Sequence, residues 1–171
     1  MNKIQKIAGV LSSQEISELI NKNVITSENG IEKDLIQPAS IDLRLGIKAW
    51  RVPASFLPGK GHKVSSRLKD LAMHEFSLID GAVLECGCVY IVKLLENISL
   101  TDNLTGIANP KSSTGRLDVF TRLIVDGTME FEEVPVGYHG PLYAEISPRT
   151  FSVLVRTGSR LNQLRLRRGQ S

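Results

Sequence analysis

Short apolar or alternating runs recur through most of this chain of 171 residues, and turn-forming residues separate them. The run 40-SIDLRLG-46 alternates strictly, so Ile41, Leu43 and Leu45 would share one face of a strand and the charged residues between them the other. Gly, Pro, Asn and Asp stand between such runs, where tight turns need them. Many short strands with turns between them predict a mainly β fold, either a barrel or a sandwich.

One helix precedes the β pattern. In 11-LSSQEISELINKN-23 apolar residues recur at the i, i+3, i+4 spacing of a helix face, and Ser12 or Ser13 would cap the first turn. We therefore predict a helix over about residues 12–23 and a β region over about residues 37–168.

Length and composition favour a single globular domain over residues 1–171, because the chain is long enough to bury a core and 42% of it is hydrophobic. Only 53-PASFLPGKGHKVSSRLKDLAMHEF-76 breaks the β rhythm, and it reads as a Pro/Gly loop followed by a short helix or an extended arm. No run approaches the ~20 apolar residues of a membrane span, and the N-terminus lacks the apolar core of a signal peptide. We expect no membrane contact.

The two cysteines, Cys86 and Cys88, lie in ECGCVYIV, which is predicted to be a buried strand. No second pair completes a tetrahedral zinc site, so we expect buried free thiols in a cytoplasmic protein. The arginines of 156-RTGSRLNQLRLRR-168 would suit nucleic acid or polyphosphate, but a solvated edge strand is the favoured explanation. Aromatic residues make up only 5% of the chain, which argues against a nucleic-acid partner bound by stacking.

The stretch 110-PKSSTGR-116 combines hydroxyls, a glycine and two cations. Phosphate oxygens bind hydroxyls, backbone amides and Lys or Arg, and Gly115 would let a ligand approach the backbone closely. The P-loop pattern G-x-x-x-x-G-K-[ST] is absent. On its residues alone this stretch is either a phosphate cradle or a plain polar turn, and the turn is the commoner outcome.

A second candidate group lies in 137-GYHGPLYAEIS-147. Its apolar residues alternate after a turn, which places Tyr143 and Glu145 together on the opposite face of a strand. A glutamate on a half-buried strand can act as a general acid or base, although a strand glutamate usually faces solvent.

Other catalytic patterns are missing. The three histidines show no metal-ligand spacing, and neither HExxH nor the H-x-E with P-C-x-x-C signature of zinc-dependent nucleobase deaminases is present. No G-x-S-x-G elbow supports a serine nucleophile.

Four stretches in order resemble the dCTP deaminase family of the dUTPase-like superfamily. They are QPASIDLRLG (37–46), PKSSTGR (110–116), GYHGPLYAEIS (137–147) and SRLNQLRLR (159–167). The resemblance implies a distorted dUTPase-like β-barrel (β-clip) with a short N-terminal helix, assembled as a homotrimer with active sites shared between subunits. It implies hydrolytic, zinc-independent deamination of dCTP to dUTP and ammonia, in pyrimidine deoxynucleotide metabolism, with Mg²⁺ bound through the triphosphate.

The resemblance also implies the site residues, none of which would bind a metal directly. Glu145 would be the general base and acid, with Arg116 and Ser112 as further catalytic residues. The triphosphate would lie against Lys111, Ser112, Ser113, Thr114, Gly115 and Arg116. The base would lie against the strand in 119–127, near Val125 and Asp126, and the substrate site would include Tyr143 and Ala144.

The sequence departs from the family pattern at four points. Lys111 replaces the arginine that opens the phosphate block, and Pro135 stands where the family has an aspartate. The stretch 127-GTMEFEE-133 resembles an insertion, and no lid motif follows the last arginines. Three glutamates of that insertion are candidates to replace the aspartate: Glu130, Glu132 and Glu133.

These departures leave alternatives to a complete dCTP deaminase. The chain is more similar to the first half of two-repeat members than to single-repeat members, so it would be a catalytically incomplete, nucleotide-binding half. The other alternative is a dUTPase or a bifunctional dCTP deaminase and dUTP diphosphatase. Pro135 argues against that alternative, because the missing aspartate activates the attacking water in dUTPases.

Overall fold

The computed structural model describes residues 8–101 and 103–169, and the predicted mainly β class is confirmed there. The described helices are α1 (Ser13–Asn21), α2 (Val64–Leu71) and α3 (Ser112–Arg116), with a 3-10 turn at Lys33–Leu35. The strands are β1 (Gly9–Val10), β2 (Ile25–Thr26), β3 (Ile36–Gln37), β4 (Ser40–Leu43), β5 (Leu45–Val52), β6 (His74–Ser77), β7 (Ala82–Leu84), β8 (Val89–Ser99), β9 (Leu104–Pro110), β10 (Val119–Val125), β11 (Glu133–Val134), β12 (His139–Pro148), β13 (Val153–Val155) and β14 (Asn162–Arg168).

The predictions about a signal segment and about the chain beyond Gly169 concern residues 1–7 and 170–171, which lie outside the described residues. Over the described parts of the chain, no helix is long and apolar enough to cross a membrane.

Two six-stranded sheets enclose the main core. The first has the order β11-β9-β14-β4-β3 with β1 beside β14, and the second has the order β10-β12-β8-β5-β6 with β2 beside β8. Leu43 and Leu164 of the first sheet and Leu123 and Ile146 of the second are fully buried in the same apolar cluster. Each such side chain stabilises the fold by about 1.5–3 kcal/mol. The strands β7 and β13 form a separate two-stranded ribbon.

The predicted N-terminal helix is present and has a sequence-encoded start and end. The Ser12 hydroxyl accepts the Glu15 backbone N–H at 3.3 Å, and the Glu15 carboxylate accepts the Ser12 backbone N–H at 2.9 Å. This capping box fixes the first turn. Asn23 adopts a left-handed φ of 58°, which ends the helix as a C-terminal cap.

The segment that breaks the β rhythm covers the outer face of the second sheet. Its first part is a loop and its second part forms α2, followed by β6. Val64 and Leu68 of α2 pack with Ile124 of β10 and Tyr143 of β12 in a second, smaller apolar cluster. Asp126, just after β10, accepts the Val64 backbone N–H at 2.8 Å and so holds the start of the helix.

The predicted buried strand around the two cysteines is wrong, whereas both thiols are free as predicted. Residues between β7 and β8 form a turn in which Gly87 has a φ of 80°, so the C-x-C stretch is not part of a strand. Cys86 is exposed and Cys88 is half-buried. The apolar residues before and after the cysteines have the pattern of one continuous strand. The glycine between the cysteines was the sequence signal against a continuous strand.

The edge position predicted for the arginine-rich strand is also wrong, although Arg165 and Arg167 are exposed as predicted. The strand β14 lies inside its sheet, between β9 and β4. Arg168 is 6% exposed and pairs with Glu15 at 2.6 Å, while Arg160 pairs with Asp34 at 2.6 Å. Two of these arginines therefore tie the sheet to neighbouring elements.

Candidate active site

Glu145 lies on β12 and is only 2% exposed. The predicted alternation is confirmed, because Leu142, Ala144 and Ile146 belong to the main core while Tyr143 packs in the smaller cluster on the other face. Glu145 shares that second face. Glu145 therefore does not face solvent, as glutamates on strands usually do. A buried carboxylate needs polar partners.

Arg122 and Ser55 hold the two carboxylate oxygens of Glu145. Arg122 lies directly opposite Glu145 in the β10–β12 register, and its Nε donates to Oε2 at 2.8 Å. The Ser55 hydroxyl donates to Oε1, and Arg122 Nη2 donates to the Ser55 Oγ at 2.6 Å. The guanidinium also stacks on Phe131, with 3.4 Å from Cζ to the ring centroid. The three polar side chains therefore form a closed hydrogen-bonded ring.

Sequence reasoning missed Arg122 and Ser55 and proposed Arg116 and Ser112 as the further catalytic residues beside Glu145. In the described parts of the chain, neither Arg116 nor Ser112 makes a hydrogen bond or an ion pair with Glu145. Their catalytic roles stay predictions.

The predicted phosphate block consists of the last residue of β9, Lys111 and the short helix α3. Thr114 is 1% exposed and its hydroxyl donates to the Leu161 carbonyl at 2.7 Å, so this residue anchors the block to the chain before β14. The exposed members of the block are Pro110, Ser112, Ser113, Gly115 and Arg116. The block therefore presents two hydroxyls, a guanidinium and an open backbone position to solvent.

Lys111 is engaged inside the protein. Its Nζ pairs with Oδ2 of Asp42, which is fully buried and lies 3.6 Å from the Arg160 guanidinium through the same oxygen. Asp42 is therefore more than the polar half of an alternating strand, since it joins the first sequence block to the phosphate block. Because Lys111 is paired with Asp42, its positive charge is less available to the phosphate that it was predicted to bind.

The residues predicted near the base are mostly enclosed. Val125 and Ala144 are fully buried, and their predicted contact with the base stays a prediction. The Asp126 carboxylate is bound to α2. Tyr143 is 4% exposed, and burial, with the nearby Asp126 charge, raises the pKa of its hydroxyl to about 12. Tyr143 therefore stays protonated at neutral pH.

Glu132 stands out among the three glutamates of the insertion. It has a left-handed φ of 69°, its carboxylate accepts the Leu123 backbone N–H, and its own N–H donates to the Leu123 carbonyl at 2.9 Å. Burial raises the pKa of Glu132 to about 7, although the Leu123 hydrogen bond and the Arg122 charge act in the opposite direction. Glu130 and Glu133 are exposed. No feature of the sequence marked Glu132 among the three.

We expect Glu132→Gln to remove a pH dependence of stability. The pKa of Glu132 is about 7 in the folded state, against an ordinary value of 4.5 that applies to the unfolded chain. The wild-type protein therefore loses stability as the pH rises from 4.5 to 7, and below pH 4.5 Glu132 causes no pH dependence of stability. The variant would then be more stable at pH 8 by at most about 3 kcal/mol, with no difference at pH 4. Urea unfolding across this pH range measures the slope. Glu130→Gln is the exposed control, and equal slopes in wild type and Glu132→Gln would contradict the expectation.

A cavity of about 510 Å³ brings the phosphate block and the arginine partner of Glu145 together. Gly115, Phe120, Arg122, Glu132 and Arg149 are among the residues that line it. The Arg149 guanidinium lies 4.9 Å from the centre of the Phe120 ring. A volume of this size suits a small organic ligand. Within the described residues, no three His, Cys, Asp or Glu side chains are grouped as a metal site.

Comparisons with known proteins identify the family that the four sequence blocks predicted. A family model for the 2'-deoxycytidine 5'-triphosphate deaminase (DCD) N-terminal domain matches residues 7–170. A dCTP deaminase of Haemophilus ducreyi is 26% identical over 143 residues, which are 79% of this chain and 70% of the relative. A dUMP-forming dCTP deaminase of Salinispora tropica is 31% identical over 158 residues, which are 91% of this chain and 77% of the relative.

The crystal structure of 2'-deoxycytidine 5'-triphosphate deaminase from Agrobacterium tumefaciens is similar over almost the whole described fold. It is 52% identical, with a TM-score of 0.93, and the match covers 96% of this chain but 49% of that one. This chain therefore spans about half the length of the Agrobacterium protein. The matched family model and these relatives show that the chain belongs to the dCTP deaminase family.

Proposed function

We propose that this chain binds dCTP and catalyses its hydrolytic deamination to dUTP and ammonia without zinc, with Glu145 as general base and then general acid. The observation that carries the proposal is the buried Glu145 carboxylate, oriented by Arg122 Nε at 2.8 Å in a chain of this family. A carboxylate fixed in this way can exchange protons with a reactant in one defined geometry.

The proposed reaction moves two protons. Glu145 takes a proton from water while the water oxygen bonds to C4 of cytosine, and that proton passes to ring nitrogen N3. The second proton of the water then passes from the new hydroxyl to the amino group. The C4–N bond breaks, ammonia leaves, and the C4 carbonyl of uracil remains. One carboxylate that accepts and returns protons serves both steps.

The triphosphate would bind at the exposed side of α3, where Ser112, Ser113 and Arg116 offer hydroxyls and a guanidinium. These groups include no carboxylate, so they fit phosphate oxygens and leave Mg²⁺ to bind through the phosphates themselves. When bound, Mg²⁺ would offset part of the negative charge of the triphosphate.

The proposed active site is shared between copies of the chain. Over the residues that the structure describes, the exposed Arg116 makes no contact with Glu145, and a neighbouring copy would bring the two together. A homotrimer with three such shared sites, acting in the cytoplasm in the supply of dUMP and dTTP, is part of this proposal.

The test is the incubation of the purified chain with dCTP and Mg²⁺, with separate detection of ammonia, dUTP and dUMP. Equal amounts of dUTP and ammonia are expected. Formation of dUMP and diphosphate would instead favour a bifunctional enzyme, and hydrolysis of added dUTP without deamination would favour a dUTPase. Binding of dCTP without any product would contradict the proposed catalysis.

A second candidate function is nucleotide binding without turnover, as one half of a two-repeat deaminase. Two observations favour it: the chain matches 49% of the Agrobacterium protein, and Glu145 is only 2% exposed. Its signature would be dCTP binding by this chain, and deamination only after a second repeat is added.

A further inference from the structure

Two buried glutamates of this chain have the same arginine geometry. Glu96 is fully buried and accepts from Arg44 Nε at 2.8 Å. Glu145 is 2% exposed and accepts from Arg122 Nε at 2.8 Å. Glu96 belongs to no site that the proposed function uses, so it shows what a purely structural buried ion pair looks like in this fold.

The two glutamates differ in the group that holds the second carboxylate oxygen. Glu96 Oε2 accepts the backbone N–H of Arg44 at 2.9 Å, a donor that is fixed by the chain between two strands. Glu145 Oε1 accepts the hydroxyl of Ser55, an exposed residue on a loop. The donor to the second oxygen of Glu145 is therefore a side chain that can move away, whereas the donor to the second oxygen of Glu96 is a backbone N–H.

The loop that carries Ser55 has firm ends and a loosely held middle. Gly59 N–H donates to the Thr128 carbonyl at 3.1 Å, and Arg67 Nε donates to the Pro58 carbonyl at 3.1 Å. Between the end of β5 and Pro58, no backbone N–H donates a backbone hydrogen bond in the described structure. The Ser55 side chain, with the half-buried side chains of the next two residues, holds this middle part.

We propose that the Ser55 hydroxyl occupies, in the free protein, the place on Glu145 Oε1 that the reacting water takes during catalysis. The inference rests on the proposed function, in which Glu145 accepts a proton from water. A serine hydroxyl has the same donor group as water and sits where a general base must meet its reactant. Since Glu145 is 2% exposed, the loop over residues 53–57 must withdraw before a nucleotide reaches the carboxylate.

Ser55→Ala then removes a competitor for Oε1. We expect the KM for dCTP, or its dissociation constant where turnover is absent, to fall about tenfold, which is the low end for a hydrogen bond to a charged group. The value of kcat should stay near wild type. Ser55→Thr keeps the hydroxyl and should keep wild-type constants. Ser27→Ala is the matched control, because Ser27 accepts from Arg44 Nη2 at 3.2 Å in the ion pair of Glu96.

A second measurement tests the loop without relying on catalysis. We expect ¹⁵N order parameters of the amides at residues 54–57 to fall from rigid values near 0.85 in wild type to below about 0.6 in Ser55→Ala. Ser27→Ala should leave them unchanged.

The outcomes separate this inference from the proposed function. Wild-type turnover with no change of KM in Ser55→Ala, or with a loss of kcat at constant KM, overturns the placeholder role and leaves the proposed function standing. No binding of dCTP by any variant overturns both. Unchanged order parameters in Ser55→Ala overturn the claim that Ser55 holds the loop.

Discussion

Glu145→Gln is expected to lower the rate of dCTP deamination by about 10²–10⁴-fold, because an amide cannot take a proton from water. The substitution nearly preserves the volume of the side chain, and the amide oxygen can still accept from Arg122 Nε, which donates to the carboxylate at 2.8 Å. The fold should therefore persist. Initial rates of ammonia release at saturating dCTP and Mg²⁺ measure the loss, with circular dichroism to verify folding.

Glu96→Gln is the matched control for this loss. It makes the same chemical change in a buried glutamate that has the same 2.8 Å contact with an arginine Nε. Turnover per folded molecule should stay at the wild-type level. Equal losses of turnover in both variants would mean that the loss of either buried carboxylate lowers activity and that proton transfer by Glu145 is not the specific cause.

Arg116→Ala should also lose turnover, and a mixture of the two inactive variants should regain part of it. If each site takes Glu145 from one copy and Arg116 from the next, random assembly of equal amounts leaves about a quarter of the sites intact. The variants are mixed after dissociation and reassembled before the assay. Folded, reassembled mixtures that stay inactive would place the two residues outside a common shared site.

The fold could be read largely from local patterns. The capping residues Ser12 and Glu15 and the alternation around Glu145 depend only on neighbours in sequence, and both agree with the structure. The turn at Gly87 and the central position of β14 were missed for different reasons. A single glycine was outweighed by the apolar residues around it, and the neighbours of a strand depend on contacts far apart in the chain.

The site could be predicted only in part, because its polar contacts depend on register and on a loop path. Arg122 meets Glu145 through the pairing of β10 with β12, and a shift of one residue would place its side chain on the other face. The insertion that precedes β12 makes this register unreadable from sequence. Ser55 is 90 residues from Glu145 in the chain, and no local signal connects the two.

Arg122→Met is expected to destabilise the protein by about 3–5 kcal/mol at neutral pH, because it leaves the charge of Glu145 buried without its arginine partner. Methionine retains most of the apolar contact with Phe131, which the guanidinium now covers at 3.4 Å, so the loss should come mainly from the charge. Urea unfolding gives the free energy of unfolding for each variant.

The double variant Arg122→Met with Glu145→Gln identifies the cause. Since glutamine carries no charge to compensate, most of the lost stability should return, and the double-mutant cycle should show a large coupling. Arg149→Met is the control. The Arg149 guanidinium stacks on Phe120 at 4.9 Å, but Arg149 is exposed and has no acidic partner in the described residues. The free energy of unfolding should therefore change by no more than about 0.5 kcal/mol. If Arg122→Met behaved like Arg149→Met, the Ser55 hydroxyl and solvent would already satisfy Glu145. The carboxylate would then lie in an open, hydrated site, and the closed ring of Ser55, Arg122 and Glu145 would not describe the free protein.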